Sequence, residues 1–144
     1  MEQIIGEYRI SDDRSLVQLD RVCEMLKSSY WASDRTRETI ADSIEHSLCY
    51  GVYCAGEQVG FARCVTDYAT MYYLCDVIID ERHRAKGLGT ALVGAILSDE
   101  RLQGMYGILV TRDAHGLYER YGFVVVDEKK YMRRPAVKVE EKPV

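Results

Sequence analysis

The sequence predicts an α/β (α+β) fold in which one sheet carries helices on both faces. Three observations carry this expectation. Hydrophobic periodicity switches between helical and strand spacing in the order β-α-α-β-β-β-α-β-α-β. Met71 to Ile79 is a nearly continuous apolar run, rich in aromatic and β-branched residues, as in a central strand. The chain's 144 residues, 47% hydrophobic and without a low-complexity stretch, suffice for one proper core.

The elements follow in order. Ile4 to Ile10 alternates as a first strand, ended by the turn-forming Ser11-Asp12-Asp13. From Ser15 to about Ser28, the residues Leu16, Leu19, Val22, Cys23 and Leu26 recur at helical spacing. Asp34 or Thr36 can cap a second helix with Ile40, Ile44 and Leu48 on one face. Tyr50 to Ala55, a Gly56-Glu57 turn and Val59 to Val65 form a hairpin. After the central strand, Gly87 to Leu97 is helical, with Leu88, Ala91, Leu92, Ala95 and Ile96 forming its apolar stripe. Tyr106 to Thr111 is a short strand and Asp113 to Tyr121 a short helix with Gly122 as its C-cap. Phe123 to Val126 is the next strand, and Tyr131 to Arg134 adds a last edge. A single domain is expected over residues 1–134. The tail 135–144 has little apolar surface to bury and is expected to be loose.

Composition excludes several classes. A net charge of -4 argues against nucleic acid as the main ligand, since phosphate contacts favour a basic face. Five dispersed cysteines without a C-x-x-C pair fit reduced thiols better than a disulfide framework. His46, His83 and His115 lie far apart in sequence and off ligand spacing from any cysteine, so no metal is expected. The N-terminus lacks a basic stretch followed by an apolar core, and no apolar run approaches the roughly 20 residues of a membrane span. A cytoplasmic protein without a membrane partner is the expectation.

The most informative segment runs from Asp76 to Leu92. A buried strand enters a basic, glycine-containing turn that opens directly into an amphipathic helix. Free N–H groups at a helix start, together with the positive end of its dipole, bind phosphate. Gly87 and Gly89 remove side chains that would block close approach, while Arg82, Arg84 and Lys86 add charge. A Walker A loop is set aside because no Lys-Ser/Thr follows the glycines. A Rossmann fingerprint is set aside because Leu92 occupies the third glycine position and a basic stretch intervenes. What remains is R-x-x-G-x-G, present as Arg84-Ala-Lys-Gly87-Leu-Gly89. On this segment alone, a plain turn is an equal reading.

Downstream stands Ala114-His-Gly-Leu117-Tyr118-Glu-Arg-Tyr-Gly122-Phe123. The pairing of R-x-x-G-x-G with A-x-x-L-Y-x-x-x-G-F, across an intervening strand, resembles the GNAT (GCN5-related N-acetyltransferase) superfamily. The resemblance covers Ile4 to about Arg134 and is strongest from Leu74 to Phe123. It implies the GNAT fold: a mixed, mostly antiparallel sheet of six to seven strands with about four helices on both faces. Its central strands splay apart to admit the pantetheine arm of acetyl-CoA, the acetyl donor. It implies that Val77 and Ile79 offer backbone groups to the pantetheine. The amides of Ala85, Lys86, Gly87, Leu88, Gly89 and Thr90 would cradle the pyrophosphate beside Arg84. Thr111 stands where many members have an asparagine that contacts the cofactor, a departure with shorter reach. Tyr118 matches the family's general acid.

The chemistry gives each part a reason. A neutral amine attacks the thioester carbonyl in a ternary complex, and a backbone N–H near Val77 or Ile78 would stabilise the oxyanion. Tyr118 would protonate the leaving thiolate, with packing in the core as its alternative use. Asp76, a lone carboxylate in an apolar strand, would be either the general base or the ion-pair partner of a neighbour such as Arg63. On the acceptor side, Tyr30, Trp31 and Arg35 could hold an aromatic or cationic amine, or a carboxylate through Arg35; one of the two aromatics could instead close the core. The expected activity is acetylation of a small-molecule primary amine. The alternatives are acetylation of a protein lysine or N-terminus, or a catalytically silent CoA-binding sensor. The sensor reading is opposed by the retained turn and Tyr118. The resemblance is compatible with a homodimer, which the sequence itself does not address.

Overall fold

The structure, a computed structural model, describes residues 1–136. Six strands form one sheet in chain order: β1 (Glu2–Ile5), β2 (Tyr8–Ser11), β3 (Leu48–Cys54), β4 (Glu57–Thr66), β5 (Met71–Ile79) and β6 (Tyr106–Ile108). Every neighbouring pair is antiparallel except β5 and β6, which run parallel. Four helices complete the fold: α1 (Leu19–Lys27), α2 (Arg37–Glu45), α3 (Leu88–Leu97) and α4 (His115–Glu119). None of the described helices is long and apolar enough to cross a membrane.

Alternation along the strands divides the core between the two faces of the sheet. Tyr50, Val52, Ala62, Cys64 and Leu74 pack with Leu92, Val93 and Ile96 of α3. Cys49, Phe61 and Ile78 point the other way, against Val22, Met25 and Leu26 of α1 and Ile40 and Ile44 of α2. Burying an apolar side chain of this size contributes about 1.5–3 kcal/mol, so the sheet is held from both sides.

Several expectations needed correction. Ile4 to Ile10 is not one strand but a hairpin, in which Ile5 pairs with Tyr8 across Gly6-Glu7. Gly6 takes φ +57°, as the first central residue of a tight hairpin turn requires, and the single apolar alternation concealed that turn. The first helix does not begin at Ser15. Asp13 caps a short 3-10 turn over Arg14–Leu16, and α1 starts only after Gln18. There, Gln18 N–H donates to Gln58 Oε1 (2.8 Å) and Gln58 N–H donates to Gln18 Oε1 (3.0 Å), pinning the chain to β4 in an extended conformation. Thr36 caps α2, its hydroxyl accepting from Thr39 N–H at 3.2 Å, but Leu48 begins β3 instead of extending the helix.

The C-terminal elements are shorter than their periodicity suggested. β6 stops at Ile108, not Thr111, and α4 spans His115–Glu119. Gly122, at φ +86°, turns the chain away, and Phe123 N–H closes back on the Tyr118 carbonyl at 3.3 Å. Phe123–Val126 and Tyr131–Arg134 form no strand. Three consecutive valines favour extended backbone, yet Val124, Val125 and Val126 are all exposed and no ladder partner lies beside them among the described residues. Of the expected tail, residues 137–144 lie outside the described residues.

Candidate active site

The site begins where two strands part. β5 pairs with β6 only from Met71–Tyr106 to Tyr73–Ile108; beyond Tyr73, β5 continues to Ile79 without a partner on that edge. Its other edge stays paired with β4, interrupted where Ala62 alone faces Asp76 and Val77. This is a β-bulge, and Asp76 occupies it in the left-handed region at φ +55°. A bulge re-aims the side chain and the following peptide, so Val77 and Ile78 sit on an edge with unpaired backbone.

That edge runs directly into the basic turn. Asp80 caps a 3-10 turn (Glu81–His83), accepting from Arg82 N–H at 2.9 Å. Ala85 (φ +61°) and Gly87 (φ +76°) then take left-handed conformations on either side of Lys86. The result is a run of six backbone N–H groups, Ala85, Lys86, Gly87, Leu88, Gly89 and Thr90, that donate to no acceptor among the described residues. The first intrahelical bond of α3 is donated by Ala91, to the Gly87 carbonyl at 3.0 Å. A side chain at Gly89 would meet only open space, so packing within the fold does not call for glycine there.

The basic side chains of the turn divide their duties. Arg84 Nε donates to the Ile79 carbonyl at 3.0 Å, tying the turn to the strand end, so that carbonyl is already engaged. Lys86 Nζ donates to Tyr8 Oη at 3.1 Å, and Tyr8 Oη also contacts His83 Nδ1 at 2.9 Å. Arg82 adds no spare charge, because Asp80 and Glu57 both pair with it at 2.9 Å. The Arg82 hydrogen bonds hold the Asp80 carboxyl well below the usual carboxylate range.

Tyr118 reaches the cleft from α4. It is 8% exposed and lies edge-on to Phe123 with ring centroids 6.0 Å apart. Its hydroxyl has no hydrogen-bond partner among the described residues, and it is not one of their sealed, unpaired polar atoms. Burial pushes the phenol upward, and neighbouring Tyr30 adds to the shift. Tyr118 lines a cavity of about 570 Å³ together with Tyr106, Leu109, Thr111, Phe123 and Val125. The Thr111 hydroxyl is taken up locally, accepting from Ala114 N–H at 3.0 Å at the entry to α4.

Of the residues expected on the acceptor side, Trp31 and Arg35 meet at Asp76. Its carboxylate accepts from Trp31 Nε1 (3.0 Å), Arg35 Nη1 (2.7 Å) and Arg63 Nε (2.6 Å), and Arg63 is steadied by the Ser47 hydroxyl at 3.2 Å. Burial alone would raise the Asp76 carboxyl, but the bonds and charges of Arg35 and Arg63 outweigh it and hold the carboxyl below its ordinary range. Tyr30 packs edge-on to Trp31 at 5.0 Å, and the Arg112 guanidinium stacks over the Tyr30 ring at 3.7 Å. Sequence reasoning found Tyr30, Trp31, Arg35, Arg63 and Asp76 but missed Arg112. Its contact joins two loops distant in sequence, and no local pattern marks it.

Comparison with known proteins agrees with this geometry. Residues 45–125 match the family described as "Acetyltransferase (GNAT) domain". A Gibberella zeae protein whose name carries only a provisional acetyltransferase assignment is 31% identical, the match covering 69% of this chain and 66% of that protein. A Xanthomonas campestris crystal structure, provisionally assigned as a GNAT-family acetyltransferase, is 38% identical with a TM-score of 0.86, over 92% of this chain and 96% of that one. An aminoglycoside 6'-acetyltransferase shares the fold at 24% identity and a TM-score of 0.66, over 82% of this chain and 84% of its own. The chain belongs to the GNAT acetyltransferase family.

Proposed function

We propose that the protein transfers acetyl from acetyl-CoA directly to the primary amine of a small molecule, in a ternary complex. The observation that carries this reading is the unpaired β5 edge running into six free N–H groups at the start of α3. Such a run suits a pyrophosphate, and the edge beside it suits an extended amide-bearing arm. Arg84, Val77, Ile78 and Ile79 would line that path, with the Ile79 carbonyl already held by Arg84.

In the reaction, the amine nitrogen forms a bond to the thioester carbonyl carbon and the carbon–sulfur bond breaks. The Val77 or Ile78 N–H stabilises the transient oxyanion. The leaving thiolate takes its proton from Tyr118, whose burial keeps the hydroxyl protonated through neutral pH. The proton lost by the attacking amine passes to water, and water returns one to the Tyr118 oxygen, so the enzyme ends the cycle as it began. Asp76 is ill matched to a base role, because three donors occupy its carboxylate and its proton affinity is lowered. We therefore read it as the residue that positions Trp31 and Arg35. A covalent enzyme intermediate has little support: Cys75, the nearest thiol in sequence, is pushed up to about 11 by burial and is not a ready nucleophile. The Arg112–Tyr30 contact links the α1–α2 loop to the β6–α4 loop, and a bridge of this kind favours a small acceptor over a peptide.

Calorimetric titration with acetyl-CoA, beside Gly89→Glu, tests the cradle. We expect saturable binding by the wild type and at least about a tenfold loss in the variant, because a carboxylate would occupy a site for anions. Thiol release with an amine panel tests the transfer. Tyr118→Phe should lower kcat by about 10²–10⁴ while leaving acetyl-CoA affinity within a few-fold. Absence of acetyl-CoA binding by the wild type would end this reading.

A further inference from the structure

We propose that the acceptor is an anionic amine, carrying a carboxylate near its amino group that is bound by Arg35 with help from Arg112. This rests on the transferase reading and names the substrate class of the same site. A cationic amine and a carboxylate-bearing one were both open to the Tyr30, Trp31 and Arg35 wall, and the contacts separate these two.

A cationic acceptor needs a free carboxylate or a free aromatic face. The inner carboxylate, Asp76, is already occupied by two guanidinium groups and an indole N–H, and its side chain is only 2% exposed. The Tyr30 face is already covered by a cation, Arg112, at 3.7 Å. The Asp76 carboxylate and one face of Tyr30 are therefore already in use within the protein.

An anion finds the opposite. Arg35 and Arg63 together bring two positive charges to one Asp76, leaving one positive charge in excess at this wall. Arg35 uses only Nη1 on Asp76; its Nε and Nη2 donate to nothing among the described residues. Neither of those atoms is sealed from solvent, so they remain open to a ligand. Two free guanidinium N–H vectors in one plane match a carboxylate. Arg112 adds a second cation on the far side of Tyr30, only weakly matched by exposed Asp113 at 3.6 Å. Asp34, next to Arg35 in sequence, is exposed and forms no ion pair with it among the described residues. The anionic end would thus lie on the α1–α2 side, where Arg112 stacks on Tyr30 from the loop that leads into α4.

Trp31 is the only tryptophan of the chain and lies in this wall, so its fluorescence reports occupancy without turnover. The probes are a panel of α-amino acids, the matching α-amino amides, and spermidine as a polycation, titrated in the presence of CoA. We expect saturable changes with one or more of the acids and at least about tenfold weaker responses to the matching amides. Arg35→Gln should erase that difference and Arg112→Gln should shrink it. Arg35→Lys, which keeps the charge beside Asp76, controls for folding, and Arg112 is exposed enough to be replaced without cost to the core. Equal responses to acids and amides, a preference for spermidine, or no response to any acid would overturn the inference. Thiol release separates this from the broader reading. Release that favours amides would sink the carboxylate and leave the transferase standing, whereas acid binding without release from any probe would do the reverse.

Discussion

Asp76 occupies a left-handed conformation that costs a non-glycine residue roughly 1–2 kcal/mol, and it does so inside the central strand. Three side-chain donors hold it there, so the bulge and the ion cluster support one another. Asp76→Ala would leave Arg63 and Arg35 without their counter-charge and should cost about 3 kcal/mol, read as a lower midpoint in urea. The pH dependence has a definite sign. Because the folded carboxyl is held below its unfolded value of about 3.9, its contribution is present above that value and is lost as pH falls through the lower folded one. Denaturation of wild type and Asp76→Ala should therefore converge as pH falls below about 4 and differ most near neutrality.

Between elements, the contact that sets Tyr118 is the seat of α4 on α3. Tyr121 Oη donates to the Thr90 carbonyl at 3.0 Å, and a Cβ at Gly94 would meet that oxygen at 2.9 Å. Gly94→Ala should displace the ring and cost about 1 kcal/mol through the lost hydrogen bond, a fall of several degrees in Tm. Added to Tyr121→Phe, which already lacks the bond, the same substitution should cost much less, and a double-mutant cycle measures that difference. The elements most legible in the sequence were those with long, regular periodicity. β5 and α3 matched it, as did the β3–β4 hairpin in its two strands, though its turn is Ala55-Gly56, both at positive φ, one residue before the expected Gly56-Glu57. The turn with its free N–H groups was legible too, because its glycines and its place between strand and helix are local. The Gly6 turn, the break before Gln18 and the Arg112–Tyr30 stack depend on partners brought together by folding, which periodicity does not encode. The valine run at 124–126 failed in the opposite way, since strong strand propensity forms no strand without a ladder partner.

Across the whole molecule, the sheet separates two duties. α3 and α4 stand with the proposed donor cradle and acid, while the loop between α1 and α2 brings the proposed acceptor wall, which meets the sheet at the Asp76 bulge. The N-terminal hairpin is fastened to the end of α3 by a polar staple: Asp99 accepts from Tyr50 at 2.7 Å and pairs with Arg101, which also pairs with Asp12. Arg101 above all, with Tyr50, lowers the Asp99 carboxyl to about 2 despite burial. The staple's contribution, about 2 kcal/mol, should be full above pH 4 and disappear as pH falls toward 2, and Asp99→Asn should remove most of that acid sensitivity in urea melts.

The buried thiols bear on how the protein behaves toward chemical labels. Burial pushes Cys49 and Cys75 up to about 11 and Cys64 to about 12. Near pH 8 these three are almost wholly in the unreactive thiol form, so an aromatic disulfide reagent should modify the folded chain at no more than Cys23 and Cys54, yet reach all five once it is unfolded. The folded protein is therefore a quiet background for colorimetric detection of free CoA, and the count of fast-reacting thiols is itself a gauge of whether a variant has kept its fold.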